Sequence, residues 1–308
     1  MRTFVFTCLL LLGMTTFAQD ANFHIYLCLG QSNMEGNAKV EEQDTVAVDS
    51  RFQVLAAVDC PNLGRIKGNW YKAVPPLARC YTGLTPGDYF GRAMVANLPS
   101  NVRVGIINVA VGGCRIELFD KDNYQSYVET SPDWLKNMVK EYGGNPYARL
   151  VEMAKLAQKD GVIKGILLHQ GESNTNDKDW PLKVKGVYDN LLNDLGLSAA
   201  NVPLLAGEVV HADQNGVCAS MNTIIDSLPQ VIPTAHVISS AGCPAAFDNL
   251  HFTAEGYRML GARYAAKMLS ILGYGDWTSA QNMKLWYNRP AQDWLEALPL
   301  GNSRLGAM

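Results

Sequence analysis

The chain has 308 residues, of which 48% are hydrophobic and 18% charged, with a formal net charge of −3. That length suits one large α/β domain with a remnant to spare, and the composition is that of a globular protein. The slight acidity, with no basic run, argues against a nucleic-acid or membrane-surface partner.

Residues 1–18 read as a signal peptide. Arg2 supplies the charged start, residues 5–12 the apolar core, and Thr16-Phe17-Ala18 a small-x-small cleavage site. The apolar run is too short for a membrane anchor. Export from a bacterial cell is predicted, to the periplasm or beyond. Six cysteines then remain, an even number in a compartment that permits disulfides. Cys60–Cys80 and Cys218–Cys243 are the predicted pairs, and Cys28 and Cys114 are predicted to be buried thiols. Neither Cys-x-x-Cys nor His-Glu-x-x-His occurs, so neither a metal nor another cofactor is predicted.

In chain order, residues 23–29 form a short apolar run that breaks at Gly30-Gln31-Ser32-Asn33, the pattern of a buried strand and a tight turn. Residues 38–81 are irregular and polar, a long loop with short strands such as residues 52–58. Residues 88–97 predict a helix with Phe90, Ala93, Met94 and Asn97 on one face, and 102–109 a buried strand ending at Gly112-Gly113. Residues 121–142 read as a polar, aromatic insertion. A helix over 146–159 follows, then a strand over 162–169 that ends at Gln170-Gly171-Glu172. Helix 180–195, strand 202–208, short helix 217–228 and strand 236–239 continue the alternation, and Thr253 is placed to cap a last helix over 254–272. This alternation predicts a three-layer α/β/α sandwich around a five-stranded parallel sheet, flavodoxin-like in style, in a domain spanning residues 19–274.

A serine just past the carboxyl end of the first strand sits where open α/β sheets build their sites. As a nucleophile, Ser32 needs a histidine and an orienting acid. Asp248-Asn249-Leu250-His251 offers both, since an aspartate three residues before a histidine can reach its Nδ1 from the same loop. Of the other four histidines, His24 and His236 begin strands, His211 has only Asp213 near it in sequence, and His169 reads as a strand-end histidine with a structural hydrogen bond. Gly112-Gly113 is either a simple turn or a place where a backbone N–H faces a developing oxyanion.

Gly30-Gln31-Ser32-Asn33-Met34, Ala110-Val111-Gly112-Gly113, His169-Gln170-Gly171-Glu172-Ser173 and Asp248-x-x-His251 together resemble the SGNH hydrolases. Within them the sequence is most similar to carbohydrate esterase family 6 and the sialate O-acetylesterase-like domains. The blocks cover residues 23–270. The resemblance implies a metal-independent serine esterase with Ser32, His251 and Asp248 as triad. It also implies an oxyanion hole formed by the Ser32 N–H, the Gly113 N–H and the Gln170 side chain. Glu172 is a possible supporting acid, and in some relatives has been cast as the triad acid. Asp248 ranks first because its spacing to His251 is built in. Gln31, Asn33 and Trp70 are candidate substrate contacts, although Trp70 fits a role packing its loop onto the body better than stacking on a sugar. The implied substrate is an acetylated polysaccharide or oligosaccharide of the acetylxylan kind. O-acetylated sialic acid is the alternative substrate, and a non-catalytic glycan-binding module the alternative class.

From about residue 275 the sequence changes character. Leu285-Trp-Tyr-Asn-Arg-Pro-Ala-Gln-Asp-Trp-Leu-Glu-Ala-Leu-Pro-Leu-Gly-Asn-Ser303-Arg-Leu-Gly-Ala-Met308 resembles the opening of glycoside hydrolase family 95, the inverting α-L-fucosidase type, with Ser303 where glycine is usual. The resemblance implies a C-terminal glycoside hydrolase domain in a longer polypeptide, of which residues 275–308 would be linker and truncated start. The carboxyl pair such an enzyme needs would lie further on.

Overall fold

The computed structural model describes residues 19–274, together with a strand pair formed by Leu300–Gly301 and Gly306–Ala307. The predicted signal peptide lies outside the described residues, and so does nearly all of the predicted second-domain segment. The chain divides after Trp277 into two units.

The larger unit is built on a seven-stranded sheet. Its strands are β1 (Asp20–Gly30), β2 (Phe52–Leu55), β3 (Trp70–Lys72), β4 (Arg103–Ala110), β5 (Gly161–His169), β6 (Leu204–Gly207) and β7 (Ala235–Ile238). Their order is β3-β2-β4-β1-β5-β6-β7, and all pairings are parallel except β2 with β3. The five predicted strands are present within two residues of their expected ends, apart from the longer start of β1. The sheet exceeds the expected five by β2 and β3, both from the stretch of residues 38–81. The short strand expected at 52–58 is β2, but it is part of the central sheet and not a loop feature. Nothing local in β2 or β3 shows which sheet they join, because no helix–strand alternation is legible in the sequence of residues 38–81. Their pairing partners, Val104 and Ile106 on β4 for Phe52 and Val54, are remote in sequence.

β1 is buried on both faces, which is why it reads as a continuous apolar run and not as an alternation. Leu27 and Leu29 face one core layer with Ile107, Val109, Ile166 and Leu168. Helices Pro146–Ala157 and Trp180–Leu195 cover that layer with Leu150, Met153, Val184 and Leu191. Tyr26 and Cys28 face the other layer, closed by Phe90 and Met94 of helix Pro86–Asn97 and by Tyr257 and Tyr264 of helix Ala254–Ile271. Thr253 caps that last helix as expected, accepting from the Gly256 N–H at 3.2 Å.

The polar, aromatic insertion of residues 121–142 is largely helical. It holds helices Tyr124–Thr130 and Asp133–Glu141, the second anchored by buried Leu135 and Val139. Residues 217–228 form several short helical turns and not one helix. Cys60 and Cys80 are bridged, with Cα atoms 5.2 Å apart, and Cys28 and Cys114 are buried thiols. The expected Cys218–Cys243 bridge is absent. Cys218 packs against the Leu27 side of the sheet, whereas Cys243 belongs to the Tyr26 side, so their sulfurs are held in different layers.

The Cys60–Cys80 bridge closes 20 residues of chain. Replacing both cysteines with serine should lower the unfolding free energy by about 3 kcal/mol, as loop closure predicts for a loop of this size, read as a lower urea midpoint.

Candidate active site

β1 lies between β4 and β5, so the order of strands reverses beside it, and the crevice at such a reversal is where open α/β sheets bind ligands. Gly30 ends β1 level with Ala110 on β4 and His169 on β5. Its φ is +147°, and a Cβ there would come within 2.0 Å of the His169 carbonyl oxygen, so only glycine fits. The Gln31 N–H donates to that carbonyl at 3.0 Å, and the Val111 N–H donates to the Gly30 carbonyl at 3.0 Å. The turn carrying Ser32 is thereby tied to both neighbouring strands.

The structure brings the serine and the late histidine together. His251 Nε2 lies 2.8 Å from Ser32 Oγ, and Nδ1 lies 2.7 Å from Asp248 Oδ2. The other oxygen, Oδ1, accepts from the N–H groups of Leu250 and His251 at 3.0 Å each. Partial burial works to raise the Asp248 carboxyl. The hydrogen bonds from the His251 ring and from the two backbone N–H groups outweigh it and hold the group below the usual carboxylate range. An ionised aspartate on Nδ1–H fixes the tautomer in which Nε2 can accept a proton from the serine.

Glu172 takes a different place. Its Oε1 accepts from Asn33 Nδ2 at 2.5 Å and stands 3.7 Å from His169 Nδ1, and the ring partner of His251 is Asp248. Asn33 is wholly buried, which removes it from the candidate substrate contacts. Its Nδ2 also donates to the Leu250 carbonyl at 3.1 Å, while its Oδ1 accepts from Tyr257 Oη at 2.6 Å and from the Phe252 N–H at 3.4 Å. Asn33 and Glu172 thus join the serine turn to the histidine loop. His169 has the expected structural bond, with Nε2 donating to the Glu208 carbonyl at 2.9 Å.

Gln170 does not reach the reaction face. Its Nε2 lies 3.1 Å from Gln31 Oε1, 3.3 Å from the Cys114 carbonyl and 2.7 Å from Asn174 Oδ1, and its Oε1 accepts from Trp180 Nε1. Both ends of this buried amide are occupied. Gln31 is the member of the pair that borders the cleft. Its Oε1 also accepts from the N–H groups of Ser173 at 3.2 Å and Gly171 at 3.4 Å, which fixes the amide's orientation, because backbone donors require the oxygen. Its Nε2 has no acceptor among the described residues, and Gln31 lines the cleft beside Ser32. Sequence reasoning placed Gln31 among substrate contacts and missed this amide, whose orientation depends on two residues 140 and 142 positions away.

Gly113 has φ +69°, and a Cβ there would come within 2.6 Å of the Trp134 ring. Its carbonyl accepts from Ser173 Oγ at 2.9 Å, and the Glu35 carboxyl group packs beside the neighbouring Gly112. Burial pushes the Glu35 carboxyl up, against the opposing pull of the Arg79 guanidinium 2.6 Å away. The Ser32 and Gly113 N–H groups have no backbone acceptor among the described residues, and both residues line the cleft. Ser32, Gly113, Gln31 and His251 therefore converge on one cleft of about 340 Å³.

Trp70 lies elsewhere. Its ring packs on Phe23 with centroids 4.8 Å apart, and its Nε1 donates to Asp160 at 2.9 Å. Phe23 precedes Gly30 by seven residues of extended strand, about 23 Å, so Trp70 holds the loop on the body and does not touch the cleft.

A family profile described as "Carbohydrate esterase, sialic acid-specific acetylesterase" matches residues 22–270. A probable carbohydrate esterase of Arabidopsis thaliana is 25% identical over 264 residues, covering 80% of this chain and 90% of that protein. The X-ray structure of an Arabidopsis thaliana protein superimposes with a TM-score of 0.62 at 21% identity, over 82% of this chain and 99% of the other. The crystal structure of NanS gives 0.59 at 13% identity, over 83% and 99%. A carbohydrate acetylesterase from Xanthomonas citri gives 0.55 at 18% identity, over 80% of this chain and 56% of the other. These structures share the α/β fold. With the profile spanning four-fifths of its length, the chain belongs to the carbohydrate esterases of the sialic acid-specific acetylesterase family.

Proposed function

We propose that the protein is an exported serine acetylesterase that removes O-acetyl groups from a plant polysaccharide such as xylan. The observation that carries the catalytic part is the unbroken chain of hydrogen bonds from Ser32 Oγ through His251 to Asp248, opening on the cleft. Ser32 Oγ attacks the acetyl carbonyl while His251 Nε2 takes its proton. The carbonyl oxygen becomes an oxyanion held by the N–H groups of Ser32 and Gly113 and by Gln31 Nε2. Collapse breaks the ester bond, and the leaving sugar hydroxyl takes the proton from His251. Water, deprotonated by the same ring, then attacks the acetyl-enzyme and releases acetate. Asp248 orients the ring and stabilises its charged form. Gln170 serves the oxyanion side indirectly, by holding Gln31 in place.

The polysaccharide substrate and the family 6 subtype rest on the sequence resemblance. So does the reading of residues 275–308 as the start of a family 95 glycoside hydrolase segment, which suggests a glycan-degrading setting, while export rests on the signal-peptide pattern of residues 1–18. The description of the matching family favours a second substrate, O-acetylated sialic acid. Acetate release from acetylated xylan compared with release from O-acetyl sialic acid decides between them. Faster release from xylan is expected, and release only from the sialic acid would overturn the proposed substrate.

Wild-type protein should hydrolyse 4-nitrophenyl acetate, and Ser32→Ala should lose at least about a thousandfold in kcat. Equal rates would remove Ser32 from the reaction. Asp248→Asn should also cost about a thousandfold in kcat, whereas Glu172→Gln, whose amide oxygen can still accept from Asn33, should stay within about tenfold of wild type. The reverse order would make Glu172 the acid. Gln31→Ala should lower kcat by about a hundredfold with KM little changed, the signature of a donor that acts on the transition state.

A further inference from the structure

Four aromatic side chains are substantially exposed among the described residues: Phe247 (100%), Tyr81 (88%), Trp134 (51%) and Tyr274 (40%). Two of them, Trp134 and Tyr81, stand beside the reactive cleft. The Trp134 ring lies against Gly113, and Met138, four residues on, lines the cleft itself. Residues at this spacing share one edge of a helix, so helix Asp133–Glu141 presents an apolar wall beside the oxyanion glycine. A second hollow, lined by Lys39, Tyr81 and Thr82, shares Glu35 and Asn37 with the cleft and so runs on from it. Phe247 directly precedes Asp248 in the histidine loop.

An acetyl group fills only the space between Ser32 and the oxyanion donors. Everything further along the groove touches the alcohol part of the ester. Exposed rings scattered singly over a surface need no explanation, but two flanking one reactive serine do. A pyranose has an apolar C–H face that lies flat on an aromatic ring, with hydroxyls left at the edge for polar contacts. The two arms meet at Glu35, on the same helical turn as Ser32, and at Asn37, so the groove runs past the reactive serine with an aromatic ring on either side.

We infer that the cleft is a chain-binding groove: the acetylated sugar lies over Ser32, a neighbouring sugar stacks on Trp134, and another on Tyr81 along the Lys39 arm. This rests on the esterase reading and its polysaccharide substrate, and adds to it that Trp134 and Tyr81 bind the sugars on either side of the one deacetylated, so that the ester is cleaved within a chain.

Binding separates this inference from the chemistry. Ser32→Ala protein is titrated calorimetrically with acetylated xylo-oligosaccharides of increasing length, and with O-acetyl sialic acid. Affinity should rise with length and level off at about three sugars. Adding Trp134→Ala or Tyr81→Ala should weaken the trisaccharide by about tenfold while changing the monosaccharide less. Tyr81 is almost wholly exposed, so its variant keeps the test valid if Trp134→Ala disturbs Gly113. Affinity independent of length, loss of neither ring mattering, or O-acetyl sialic acid binding as tightly as the longest oligosaccharide would each overturn the groove. A wild-type protein that binds the long oligosaccharides but leaves 4-nitrophenyl acetate intact would overturn the esterase reading instead, with the groove upheld.

Discussion

The side-chain amide of Asn33 is the contact on which the site depends. It sits one residue after the serine, wholly buried, and is hydrogen-bonded to Glu172, Leu250, Phe252 and Tyr257. Those partners come from the loop after β5, from the histidine loop and from the helix that follows it. The 2.8 Å approach of His251 to Ser32 is therefore set from beneath, by a buried polar network in which every polar atom of the Asn33 amide is engaged. Removing the amide would leave buried hydrogen-bonding groups unsatisfied, a loss of the kind that costs about 1–3 kcal/mol each, beyond any effect on chemistry.

The same economy governs the oxyanion side. Gln170 and Gln31 form a relay in which the first is consumed by the interior and the second is oriented by it. An amide fixed at its oxygen by backbone N–H groups has only one direction left for its nitrogen. Across the cleft, the Gly113 N–H has no backbone acceptor among the described residues. Donors fixed before the substrate arrives have no reorganisation to undergo when charge develops.

Around this fixed centre the variable parts are insertions on the sheet's carboxyl edge. Helix Asp133–Glu141 supplies Trp134 and Met138, and the disulfide-pinned stretch between β2 and the turn at Gly83 supplies Tyr81. Such segments can change the alcohol that is recognised without touching the bonds that cleave the ester, because they meet the substrate beyond the acetyl group.

The sequence alone carried the α/β class, five strands of the parallel sheet, and the pairing of Ser32 with His251 and Asp248. Each is a local pattern: an apolar run bounded by glycine, a serine at a strand's end, an aspartate three residues from a histidine. It also separated Asp248 from Glu172 by spacing, in the direction the geometry takes. The tertiary structure decided what depends on partners far apart in the chain. It showed that Asn33 is a strut, that Gln170 points inward while Gln31 borders the cleft, that Trp70 packs at the opposite end of β1, and that Cys218 and Cys243 lie in separate layers. The reason is the same throughout. A side chain's type and its local spacing are written in the chain, but which of its polar atoms remains unpaired is fixed only when remote segments have claimed the others.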